Sequence, residues 1–406
     1  MDTPIITSML DTDLYKLTMQ KCVWSQYPNA TVKYVFKCRN EGVKLGFLCN
    51  LVTEQVQSLS QVQLSKEEAA YLGTLNFLTD EYVNFLKEYR FDPAEVCIDT
   101  TLDGDLVVEI EGGWCRTILW EVPLLAIINQ LYFQERSDFR SIQGEGIRRL
   151  KDKINIIRQY PTLTFAEFGT RRRYSKEWQE YVAVELSQAC PQMVGTSNVT
   201  LAMKLGKVPI GTMAHEFVSC HLSLVDRLHE AQKRCLHVWL QEFGTDLGIA
   251  LSDTFTTKAF FSDFGLVLSR EFQGIRQDSG DPVDFGENAI CHYKSMGIDP
   301  KTKTVIFSDG LDTSKMIDLY KRFVGRIGVS FGVGTHLTND FSCSPLNIVI
   351  KAVECNGCPV VKLSDDPSKA IGDPSMVERV KLAYRMFEEK APRFIYGDES
   401  ELLPSS

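Results

Sequence analysis

Lys207-Val208-Pro209-Ile210-Gly211-Thr212-Met213-Ala214-His215-Glu216-Phe217, the run KVPIGTMAHEF, holds three signals in succession. A short apolar strand is expected over Lys207 to Ile210, followed by a tight turn at Gly211-Thr212. Apolar residues then recur at helical spacing from about Glu216 to Phe243. His215 therefore falls near a helix N-terminus, where unpaired N–H groups and the dipole favour an anion. An imidazole placed there suits binding a phosphate or carrying one. A histidine that merely packs at a helix start is the plain alternative.

The same strand-then-polar-turn unit recurs on both sides of this run. TLTFAEFGTR, MVGTSN, LGIALSDT, FQGIRQDSG, KTVIFSDG and GRIGVSFGVGT, with VPIGTMAH itself, are short apolar runs that end in Gly, Ser, Thr, Asp or His. Amphipathic stretches separate several of them. About seven such units after residue 145 predict parallel strands with helical crossovers, closed into an α/β barrel. A doubly wound open sheet would give similar strings. In either fold the polar strand exits are where ligand sites lie.

Upstream, the pattern is that of an α+β layer. LDTDLYKLTMQKCVWSQYP reads as a helix capped at Asp11 or Thr12, and TVKYVFKCRN as a strand ending in Lys37 and Arg39. Ser65-Lys66-Glu67-Glu68 resembles a capping box. Val96 to Ile110 turns through Leu102-Asp103-Gly104-Asp105 as a hairpin, and Glu121 to Phe139 is helical behind Pro123. Downstream, NIVIKAVE and CPVVKLS flank Asn356-Gly357, a strong hairpin signal, and this tail is expected to pair with the first region. The expected domains are 1–145 completed by 346–406, and a catalytic barrel over 146–345.

Composition excludes several classes. A formal charge of −9 and a pI near 5.4 argue against a basic nucleic-acid face. MDTPIITSML lacks the basic start and apolar core of a signal peptide, and no apolar run approaches the roughly 18 residues of a spanning helix. Twelve cysteines without framework spacing suit reduced thiols. A cytoplasmic protein is expected, with nuclear residence also open. There is no GxxxxGK[ST] loop, FGVGTHL lacks the third dinucleotide glycine, and His215-Glu216 misses HExxH spacing. Cys355 and Cys358 read as structural, and His221, His229 and His237 as a solvated helix face.

Polar clusters at the strand exits remain. Gly332 and Gly334 would let backbone approach an anion, with Thr335 adding a hydroxyl. Asp309 could accept from sugar hydroxyls. Arg276 brings a fork for carboxylate or phosphate, while Asp278 and Asp281 could hold Mg²⁺ through water. Arg171, Arg172 and Arg173 follow Phe168-Gly169-Thr170. Together they describe a cavity for a polyanion carrying a sugar.

FAEFGTRRRYS, GTSNVTLA, GTMAHE, GIRQDSGDP, FSDGLD, FGVGTHLTND and the early LDTDLYKLTM, in this order, resemble nicotinate phosphoribosyltransferases from Leu10 to about Asp340. The resemblance implies an irregular barrel of about seven strands joined to a domain made from both chain ends. It implies that nicotinate and phosphoribosyl diphosphate give nicotinate mononucleotide and pyrophosphate with coupled ATP hydrolysis, an entry to NAD by salvage. ATP would be a co-substrate and Mg²⁺ the metal, with no tightly bound organic cofactor. By similarity, Tyr15 and Phe168 would sandwich the pyridine, and Arg276 and Thr212 would face its carboxylate. Asp278 and Asp309 would hold the ribose, and Gly332, Gly334 and Thr335 the 5′-phosphate. Arg171, Arg39 and Lys362 would serve the diphosphate, and His215 would be the phosphorylated histidine.

Ser197 bears on the choice of pyridine, because relatives using nicotinamide carry aspartate there and a carboxylate would repel nicotinate. Quinolinate would need further basic groups. A non-enzymatic nucleotide sensor is the competing class. The resemblance leaves open a monomer or a homodimer, and whether a partner supplies the tyrosine.

Overall fold

The computed structural model describes residues 3–136, 138–366 and 370–388, so residues 389–406 of the expected C-terminal segment lie outside the described residues. Two sheets organise the chain. The first has five strands in the order β11-β10-β1-β3-β2. They are β1 (Thr31–Cys38), β2 (Val96–Thr100), β3 (Leu106–Gly113), β10 (Ile348–Cys355) and β11 (Cys358–Pro359). All pairs are antiparallel, and the predicted return of the tail is met by β10 running against β1 from Val32↔Cys355 to Cys38↔Ile348. Asn356 and Gly357 turn the last hairpin at φ +50° and +72°, the left-handed pair that a two-residue type I′ turn requires.

The second sheet is parallel, in the order β5-β4-β9-β8-β7-β6. Its strands are β4 (Phe165–Glu167), β5 (Met193–Thr196), β6 (Ile249–Leu251), β7 (Gly274–Gln277), β8 (Thr304–Phe307) and β9 (Gly328–Val333). It has six strands, not seven. The unit without a strand is the 207–210 run, because Pro209 has no N–H to donate to a ladder. Its neighbours still bond both sides of the gap. Ile210 N–H donates to Thr196 O at 2.9 Å, and Thr212 Oγ1 donates to Ile249 O at 2.9 Å. At the β7–β8 contact a Cβ on Gly274 would sit 2.1 Å from Thr304 O, so only glycine fits there.

Local signals fared unevenly. Ser65 and Glu68 form the expected capping box, and Val96 to Gly113 the expected hairpin. The first helix starts at Leu14 with Asp13 as its N-cap residue, not Asp11 or Thr12, and without a side-chain cap. Asp11 is taken instead by Arg173 (2.6 and 2.9 Å) and Asn198 (2.8 Å). The long helix expected from Glu216 to Phe243 is broken into His215–Cys220 and Ala231–Phe243. His221 Nδ1 bonds Phe217 O at 2.6 Å and Ser223 Oγ bonds Cys220 O at 3.0 Å, so side chains terminate the first piece. His221 is thus buried against Tyr27 Oη (3.1 Å) and does not join His237 on a solvated face.

Among the described residues no helix is long and apolar enough to cross a membrane. Trp114, Trp120 and Trp239 are fully buried in one continuous apolar core. Truncating any of them to alanine would cost about 3–5 kcal/mol.

Candidate active site

The C-terminal ends of the parallel strands open into a cavity of about 770 Å³, roofed by β10 and the segment Asn339 to Asn347. Its wall collects residues far apart in sequence. Tyr15, Phe168 and Arg171 line one side, and Thr212, His215 and Arg276 another. Asp278, Asp309, Gly332, Gly334 and Thr335 line the rim, with Arg39 and Lys362 reaching in from the first sheet and the tail. Tyr15 comes from this same chain.

His215 is buried at the cavity edge. Its Nε2 lies 2.8 Å from Asp278 Oδ2 and 2.8 Å from Lys362 Nζ, and its Nδ1 lies 3.1 Å from Thr254 Oγ1. Burial, with the Lys362 charge, outweighs Asp253 and Asp278 and pulls the imidazole down to about 4. The ring is therefore neutral at pH 7 and offers a lone pair. Nε2 faces both the Asp278 carboxylate, which would accept from an Nε2–H, and the Lys362 ammonium, which would donate to an Nε2 lone pair, so the ring proton can be drawn to either nitrogen. The short helix His215–Cys220 adds little dipole, so the charge here comes from side chains.

Cations crowd the remaining wall. Burial and the neighbouring Arg171 and Arg39 charges lower Arg172 to about 10. Burial lowers Lys351 to about 8, with Glu121 opposing and Lys362 and Arg171 assisting. Arg276 Nε is buried with no hydrogen-bond partner among the described residues. Depressed basic groups and an orphaned donor around one space define a site that gains by taking in a polyanion.

Two sequence expectations fail here. Ser197 does not line the cavity: it is fully buried, its hydroxyl donating to Asp13 Oδ1 at 2.7 Å and its N–H to Glu167 O at 2.8 Å. Asp281 does not face the cavity either, because its exposed carboxylate caps the helix Pro282–Ser295 through Val283 and Asp284 N–H (2.8 and 2.9 Å). Asp281 is thus engaged at a helix start while Asp278 lies on the cavity wall. The carboxylate that does join Asp278 is Asp253, which sequence reasoning missed although it ends the LGIALSDT unit. Asp253 Oδ1 lies 3.6 Å from His215 Nε2 and lacks a hydrogen-bond partner among the described residues. One ligand atom from each of His215, Asp253 and Asp278 fits within 4.8 Å of the others, a set able to hold a cation. Lys362 Nζ already stands there, 3.2 Å from Asp253 Oδ2. Lys351 was likewise not singled out, and the strand period that turns it to one face of β10 was the available signal, whereas Arg172, expected with Arg171 at this exit, does line the cavity.

Comparison with known proteins places the chain in a family. Residues 163–388 match the model of the nicotinate phosphoribosyltransferase (NAPRTase) family, and residues 10–129 match that of its N-terminal domain. The nicotinate phosphoribosyltransferase of Cupriavidus necator is 45% identical over 386 residues, covering 94% of this chain and 98% of that protein. That of Yersinia pestis is 43% identical over 392 residues, covering 95% and 97%. Among solved structures, nicotinate phosphoribosyltransferase from Porphyromonas gingivalis superposes with a TM-score of 0.89 at 34% identity, covering 94% of this chain and 100% of the other. With both halves of the chain matched and a strand-end cavity of this kind between them, the chain belongs to the nicotinate phosphoribosyltransferase family.

Proposed function

We propose that the protein joins nicotinate to 5-phosphoribosyl 1-diphosphate, giving nicotinate mononucleotide and pyrophosphate with coupled ATP hydrolysis. The carrying observation is the buried His215 ring, flanked at 2.8 Å by Asp278 and Lys362 on the edge of a cation-lined cavity. The pyridine nitrogen needs no general base. Its lone pair forms the bond to the anomeric carbon as the bond to the diphosphate oxygen breaks, and pyrophosphate leaves with that electron pair. The barrier lies in the leaving group's charge, which Arg39, Arg171, Arg172, Lys351 and Lys362 are placed to stabilise.

Tyr15 and Phe168 would sandwich the ring, with Arg276 meeting the carboxylate and Thr212 beside it. Asp278 and Asp309 would hold the ribose, and Gly332, Gly334 and Thr335 the 5′-phosphate. Asp278 and Asp253 would hold Mg²⁺ only with Lys362 moved off Asp253, and when bound the ion would neutralise diphosphate charge. ATP would transfer its γ-phosphoryl group to His215 Nε2 with release of ADP, and water would later remove it as phosphate. The two-domain division at about 145 and 346, with the barrel closed through residues 208–212, would hold these groups in place in the monomer or a homodimer.

A steady-state assay with labelled nicotinate and phosphoribosyl diphosphate, with and without ATP, tests the reading. Mononucleotide formation stimulated by ATP is expected. Binding of both substrates without product would make the protein a sensor and overturn it.

A further inference from the structure

Lys16 follows the cavity residue Tyr15 on the helix Leu14–Gln26, and its side chain is completely buried. Its ammonium bridges two carboxylates, Glu121 Oε2 at 2.6 Å and Glu216 Oε2. Glu216 is the residue after His215. Its second oxygen accepts from Tyr34 Oη at 2.6 Å and Trp114 Nε1 at 2.9 Å, so this carboxylate is pinned from three elements. Glu121 lines the cavity, and its Oε1 lies 3.5 Å from Arg171 Nη1. One buried ammonium thus ties the backbone beside His215 to the arginine on the cavity's opposite wall.

Three buried charges are a poor way to stabilise a core, since apolar side chains of similar volume would serve as well. Their ordering is better suited to fixing a geometry. Resting on the function proposed above, we infer that Lys16 is a positioning residue. It locks the His215-bearing helix and Arg171 into one relation, so that a phosphoryl group arriving on His215 is felt at the pyrophosphate end of the cavity. Glu121 and Glu216 both border the cavity, but the ammonium that joins them is fully buried behind its wall, and its effect is on coupling between the two ends.

The ratio of rates with and without ATP reads that coupling directly. Lys16→Met alone strands two buried carboxylates and is expected to melt at lower temperature. Lys16→Met/Glu216→Gln removes the cation together with one carboxylate charge and is the informative variant. Its ATP stimulation should drop at least tenfold, well beyond any fall in its ATP-independent rate, and Lys16→Arg should restore most of the stimulation. A purely structural bridge would instead lower both rates in proportion, and a folded double variant with the parent's ratio overturns the inference.

Hydrogen exchange on the parent protein gives a second test that needs no variant. Phosphorylation of His215 should change protection at residues 14–18 and 119–123 as well as at 214–220, and change confined to 214–220 also overturns it. A parent that makes no mononucleotide would count against the proposed function instead, so the two failures are distinct.

Discussion

Nε2 of His215 and Oδ2 of Asp278 lie 2.8 Å apart, joining the loop that leaves residues 207–212 to the loop that leaves β7. Asp278 is further held by Ser308 Oγ on its other oxygen at 2.8 Å, so the carboxylate cannot swing away from the ring. Under the proposed mechanism His215→Ala abolishes phosphoenzyme and ATP stimulation but leaves slow ATP-independent synthesis. Asp278→Asn, which touches both the ring and the proposed ribose position, should lower both rates, by about 10²-fold or more. Rate measurements with and without ATP on the two variants check this, and retained stimulation in His215→Ala would remove the role given to that ring.

Ser197 lies one layer behind the cavity and donates its hydroxyl to Asp13. Asp13 in turn stands 3.8 Å from Arg171 Nε. Ser197→Asp would set a second carboxylate against Asp13 in a buried site, where two such groups cannot both ionise. The displaced charge would compete for Arg171. Nicotinate KM is expected to rise by about tenfold or more, equal to ~1.4 kcal/mol. Measured KM values for nicotinate and nicotinamide decide the matter, and an unchanged nicotinate value would show that the layer behind the wall does not set specificity.

Stability should depend on pH in a definite sense. Burial lowers His215, His221 and His336 to about 4. An unfolded histidine takes its proton below about 6.5. The unfolded chain therefore binds protons first, and stability is lost as pH falls from about 6.5 to 4, on the order of 3 kcal/mol per ring at the limit. Burial raises Glu167 to about 6 and Asp263 to about 7, which acts the other way: their contribution is present at low pH and lost as pH rises through 6 to 7. Three rings outweigh two carboxyls below about pH 6, the carboxyls dominate from there to about 7, and Lys351, lowered to about 8, enters only above that. The melting temperature should peak near about pH 6 to 6.5 and fall steeply toward 4. A flat profile between 6.5 and 4.5 would contradict the neutral burial of these three rings, His215 among them.

The strand exits were readable because a turn after a short apolar run leaves a period-2 pattern and a glycine or small polar residue behind. That is how Asp278, Asp309 and Gly332 were found without coordinates. Periodicity does not say which polar side chain another distant one will claim. Asp11, Asp281 and Ser197 each carried a legible local signal, yet Arg173, a helix start and Asp13 determine what they do. Asp253 shows the reverse, an unremarkable residue of a serine-aspartate turn made important by Lys362 arriving from the tail more than a hundred residues later. The helix break after Cys220 was hidden for the same reason, since apolar spacing continues through it while His221 and Ser223 take the carbonyls.

Lys362 offers the sharpest test of how the tail shapes the chemistry. Its ammonium is 2.8 Å from His215 Nε2, and its charge is one of the forces that keep the ring deprotonated. Lys362→Met removes that charge while Asp253 and Asp278 remain, so the imidazole should rise from about 4 toward its ordinary value. The acid limb of phosphoenzyme formation would then move to higher pH, because a protonated ring has no lone pair to offer. The same variant loses a cation beside the transferred phosphoryl group. A charge-assisted hydrogen bond of about 1.5–3 kcal/mol makes the expected fall in phosphoenzyme at pH 7.5 at least about tenfold. Trapping labelled phosphoenzyme between pH 4 and 8 measures both effects together. A lowered yield with an unmoved acid limb would mean that Lys362 contacts the phosphate but does not set the protonation of His215.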